Sequence, residues 1–172
     1  ENQVPGMGLI LHIPHCSERF PPGAIETYGV GAERVRQEAR ILGDLLTDQL
    51  YASDRFPSVV FPWSRLFVDV ERFRDDAEEP MAERGMGALY RVGHDLASLK
   101  RDFGRLKPEQ LLAEYYDPHH WELRERVEEA LSGPGEVLIV DCHSFPVNRL
   151  PYEDPDARDR PEICVGTDPF HT

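Results

Sequence analysis

The chain has 172 residues, enough for one domain with a real core, and its 40% hydrophobic content is that of an ordinary globule. Against 19 Lys and Arg stand 32 Asp and Glu, a formal charge of −13. That field repels phosphate backbones and anionic lipid, which argues against nucleic-acid and membrane partners. No apolar run reaches the roughly 18 residues of a membrane span.

Residues 1–7 lack the basic flank and long apolar stretch of a signal peptide and read as a leader or appended remnant. Gly8 to Ile13 is a short apolar run ending at Pro14, the pattern of a buried strand. A polar, proline-bearing loop follows. From Ala32 to Tyr51, Val35, Ala39, Leu42, Leu45, Leu46 and Leu50 recur at helical spacing. Ser58 to Phe61 and Leu66 to Val70 are β-rich segments, and Leu89 to Val92 is a short strand candidate in a charged, less legible stretch. Helical signals return from Lys107, with Pro108 suited to a first turn. Asp117 and Pro118 then read as the N-cap and first residue of another helix, which stops at Ser132-Gly133-Pro134. Glu136 to Asp141 is the clearest buried strand, and Ile163 to Gly166 a last short one. Alternating strands and helices imply an α/β domain with a mixed, largely parallel sheet flanked by helices. The chain stops just after a strand, so the domain is expected to continue past Thr172.

In open α/β sheets, ligands bind beyond the carboxyl ends of the strands. His15 follows the first strand by two residues and His143 closes the strand from Glu136, so both imidazoles are expected in one crevice. Asp141 lies two residues from His143 and hence on the same side. Two imidazoles and a carboxylate with an open position are the usual catalytic zinc set. For the carboxylate, Glu18 completes a His15-x-x-Glu18 spacing, which His119-x-x-Glu122 also has by chance. Asp44 and Asp48, one helical turn apart, are the competing pair, whose bland reading is a solvated acidic face. His12 points away from its strand neighbours and reads as structural. Arg65 and Arg72 are candidates for binding a substrate carboxylate bidentately, against a bland reading as surface ion pairs. Cys142 beside His143 invites a cysteine-nucleophile reading, but neighbours on a strand face opposite ways. The odd cysteine count, without CxxC spacing, argues for a reducing, cytoplasmic setting without a disulfide framework.

Six collinear segments resemble the N-formylglutamate amidohydrolase family. They are His12-Ile13-Pro14-His15 with Pro21 behind it, Asp44 to Tyr51, Ser64 to Arg72, Tyr116 to Leu123, Val140 to Ser144, and Val165 to Asp168. The resemblance implies a single amidohydrolase-like domain over residues 1–172 with a phosphorylase/hydrolase-like, zinc carboxypeptidase-like fold. It implies Zn2+ held by His15, Glu18 and His143, with Asp48 as the rival carboxylate, and Arg65 and Arg72 in the substrate-binding stretch. The implied activity is hydrolysis of the amide bond of a small anionic N-formyl or other N-acyl amino acid by a zinc-activated water. A general-base glutamate is expected beyond Thr172. The sequence departs from the family pattern at Glu71, where asparagine is usual, and at Pro169, where a glycine-rich continuation is usual. The alternative reading is a non-catalytic metal- or ligand-binding homologue.

Overall fold

The computed structural model describes residues 7–104, 107–133, 135–153 and 161–166. The suggested leader, apart from Met7, and Thr167, Asp168 and Pro169 lie outside the described residues. Three parallel strands form an open sheet in the order β2-β1-β3: β1 (Met7–Ile13) at the centre, β2 (Ser58–Val60) and β3 (Glu136–Asp141) beside it. Parallel neighbours require long crossovers. The first carries helices α1 (Ala32–Leu42) and α2 (Thr47–Leu50) between β1 and β2. The second leads to α3 (Pro108–Leu111) and α4 (Asp117–Leu131), and α4 packs on all three strands. The α/β expectation is met.

Two apolar clusters surround the turn at residues 64–70. Leu66 packs with Val35, Ala39 and Leu42 of α1, whereas Phe67, Val68 and Val70 pack with Phe61, Leu111 and Tyr116. This segment was expected to be a strand because it is so apolar. It is instead a buried turn. The Ser64 carbonyl accepts from the N–H groups of Phe67 and Val68, and the Asp69 side chain accepts from the N–H of Glu71. Those donors are used locally and cannot join a ladder.

Other elements also depart from the reading above. The expected helix from Ala32 to Tyr51 breaks after Leu42, and Leu46 takes the left-handed conformation at φ 70°. The two helical segments around Tyr116 are one run. Residues 112–116 form a wide π-turn leading directly into α4, and Tyr116 is already helical, so Asp117 is no cap. Pro118 supplies the reason: in a regular helix its ring would crowd the Glu114 carbonyl, and it has no N–H to donate. The segment at Leu89–Val92 contributes only an isolated bridge, Val92 to Ser98, and Ile163–Gly166 is exposed and irregular. Strand β3 forms as expected but is not buried. It lies at the edge of the described sheet, with Leu138 and Ile139 exposed.

Leu66 touches no water and holds the turn against α1. Leu66→Ala is expected to cost about 3 kcal/mol, read as a lower urea midpoint at unchanged slope.

Candidate metal centre

His15 stands just past the central strand β1 and His143 just past its hydrogen-bonded neighbour β3. Their rings approach to 5.2 Å between centroids. Asp44 lies between them, with Oδ2 2.8 Å from His143 Nδ1 and 3.5 Å from His15 Nδ1. One ligand atom from each of His15, Asp44 and His143 lies within 4.8 Å of the others. The break after α1 brings Asp44 here. Its N–H donates to the His15 carbonyl at 2.9 Å, an arrangement a continuing helix would forbid.

His15 is fully buried. Its Nε2 donates to Asp69 Oδ1 at 2.8 Å, because an ionised carboxylate can only accept. That bond fixes the tautomer and leaves Nδ1, which makes no hydrogen bond, aimed at Asp44 and at Glu71 Oε2, 3.7 Å away. A buried ring nitrogen without a partner, facing a carboxylate and a second imidazole, fits a metal ion. Asp69 is itself sealed from water. It accepts from Arg65 Nε and Nη2 at 3.1 and 2.7 Å, from Tyr90 Oη at 3.2 Å and from the Glu71 N–H at 3.0 Å.

Charge follows this geometry. Burial would raise the pKa of Asp69, but the Arg65 and His15 charges hold it well below the usual carboxylate range. Burial opposes protonation of His143, yet its hydrogen bonds to Asp44 and Glu71 raise its pKa to about 10. For Asp44, burial is outweighed by the hydrogen bond from His143 and by the nearby His15, and its pKa falls to about 2. His15 is raised too, the Asp69 charge overcoming burial.

Glu71 is the fourth polar group. Its Oε1 is 2.9 Å from His143 Nε2, on the side of the ring opposite Asp44. Beyond it, on the β1 and β3 strand ends, His12 Nδ1 meets Asp141 Oδ1 at 2.5 Å, and His12 Nε2 meets His119 Nε2 at 2.8 Å. Burial and the neighbouring histidines lower the His119 pKa to about 3, so this ring is neutral.

The residues singled out in the sequence are thus divided. His15 and His143 come together. Glu18 does not join them; it is exposed and paired with Arg40 at 2.6 Å. Asp48 is also exposed, on α2. Asp44 takes the place expected of either, and Asp141 serves His12. Arg65 is committed to Asp69. The Arg72 guanidinium stays 3.6 Å from Asp69 and 3.7 Å from Glu79, its Nε without a partner. Cys142 is buried, and burial raises its thiol to about 11, which suits packing rather than nucleophilic attack. Asp69, Glu71 and His119 were not singled out as site residues, although all three lie in segments that resemble the family. Asp44 carried a local signal: Gly43 before it is an ordinary helix-stop signal that the apolar spacing overrode. A cavity of about 820 Å³ lined by Glu18, Phe20, Tyr28, Arg36 and Arg40 includes none of His15, Asp44, Asp69, Glu71 or His143.

Residues 7–171 match the model of a family described as N-formylglutamate amidohydrolase. No curated protein matches the chain, and no solved structure does.

The raised His143 pKa has a definite sign for stability. In the metal-free chain its contribution is complete below its ordinary value of 6.5 and is lost as pH rises through about 10. Asp44 acts at the other end, its contribution present above 3.8 and lost as pH falls through about 2. Thermal melts of the metal-free protein are expected to fall between pH 6.5 and 10, and to fall less in His143→Gln.

Proposed function

We propose, since this chain belongs to the N-formylglutamate amidohydrolase family, that it hydrolyses the amide bond of an N-formyl or other N-acyl amino acid with a zinc ion held by His15, Asp44 and His143. The observation that carries the metal is the buried, unpartnered His15 Nδ1 facing Asp44 and His143. A zinc ion bound there supplies Lewis acidity, polarising the amide carbonyl and bringing the pKa of water toward about 7. The protein does the rest. Asp69 holds the His15 ring in the ligating tautomer, and Arg65 keeps Asp69 ionised. His143 reaches the rim, 35% exposed, where an acyl group can approach.

Arg72 is the clamp for the carboxylate of a small anionic substrate. It is partly exposed, its nearest acids lie beyond hydrogen-bond distance, and a guanidinium matches a carboxylate bidentately. Arg65, whose Nε and Nη2 are taken by Asp69, is a positioning residue instead. In a protein of net charge −13, an arginine that meets its own acids only at ion-pair distance is what lets an anion dwell there. The three free cysteines support a reducing, cytoplasmic setting. Among the described residues no helix is long and apolar enough to cross a membrane.

A second reading, a homologue that binds metal or ligand without catalysis, is favoured by Glu71, a carboxylate bonded to His143 at the rim. One assay separates the two. The full chain with zinc and N-formylglutamate is expected to release formate; no release from any N-acyl amino acid, with metal bound, leaves only the binding reading. Arg72→Ala is expected to raise KM about 30-fold, the loss of a charge-assisted bond of about 2 kcal/mol, with a smaller change in kcat.

A further inference from the structure

We propose that a second divalent cation binds beside the first, held by His12, Glu71 and Asp141, with the Glu71 carboxylate standing between the two centres. The inference rests on the first centre being a metal site and adds to it a position of its own. A ring nitrogen of His12 and oxygens of Glu71 and Asp141 lie within 4.8 Å of one another. Ligand bonds of about 2.0–2.2 Å place the donors of one ion up to about 4 Å apart, so little closure is needed.

Each donor is held from a different direction. His12 and Asp141 are register partners on β1 and β3, so their side chains leave the same face of the sheet. Glu71 is fixed by its N–H to Asp69. His143 lies between two carboxylates: Nδ1 faces Asp44, and Nε2 faces Glu71. Glu71 also reaches the first ligand set, its Oε2 3.7 Å from His15 Nδ1, so its carboxylate stands between the two centres.

The electrostatics ask for a cation at this place. Two carboxylates, Glu71 and Asp141, converge on one imidazole that is 4% exposed. The His12 ring is held from its other side by His119, the two Nε2 atoms 2.8 Å apart. A divalent ion offsets both carboxylates. One nitrogen and two oxygen donors suit a borderline ion such as Zn2+ or Mn2+. The Asp141 side chain is 55% exposed, so the position is reached from solvent and keeps room for water.

The test is a count of ions. The full chain, stripped by chelator, is titrated with Zn2+ and followed by calorimetry and native mass spectrometry. Wild type is expected to take two ions per chain, and His143→Ala and Asp141→Asn one each. Glu71→Gln keeps the bulk of the side chain and is expected to weaken the second ion about tenfold or more. Circular dichroism confirms that each variant is folded; if Asp141→Asn is not, Glu71→Gln decides. Saturation of wild type at one ion that His143→Ala removes and Asp141→Asn does not would overturn the second site while sparing the first. Binding of no ion by wild type would overturn both.

Discussion

A carboxylate shut away from water must be neutralised by its neighbours, and at Asp69 that requirement organises the centre of this protein. The cost of burying an unpaired charge is several kcal/mol, so His15, Arg65 and Tyr90 are drawn to it and held there. The two apolar clusters meet at the turn that carries Asp69. Core packing and site geometry therefore constrain one another: the turn cannot shift without stranding a charge, and the charge keeps the turn from becoming a strand.

The same residue prepares His15 for its part. Accepting from Nε2 leaves the Nδ1 lone pair directed at Asp44 and His143. Without an ion, protons on the two imidazoles offset the surrounding acids, which is why both histidines titrate high. A metal ion bound there would compete with protons for the same nitrogens. Glu71 extends this network from His143 toward the His12 and Asp141 pair, joining two groups of donors across a single ring.

Strand ends do the coarse placement. β1 and β3 are hydrogen-bonded neighbours, and whatever follows them must emerge at the same end of a parallel sheet. The fine placement comes from irregular backbone. The break after α1, with Leu46 in a left-handed conformation, puts Asp44 against the His15 carbonyl. The π-turn before Pro118 widens the helix just ahead of His119, which reaches His12 on β1, and His120, which bonds the Val70 carbonyl.

Much of this was legible in the residues. The apolar runs ending at Pro14 and Asp141 specify strands by composition alone, and a parallel pairing followed from the helices between them. That placed His15 and His143 in one crevice. The choice among Glu18, Asp48 and Asp44 was not legible, because periodicity treats the stretch from Ala32 to Tyr51 as one helix. Only the folded chain shows that Asp44 trades a helical turn for a bond to a carbonyl far from it in sequence. Nor could apolarity distinguish the 66–70 segment from a strand, since burial is common to both and the hydrogen-bond partner decides. Local pattern determines which segments must leave water. Which carboxylate meets which imidazole is decided by long-range pairing, since buried charges must find partners wherever the fold brings them.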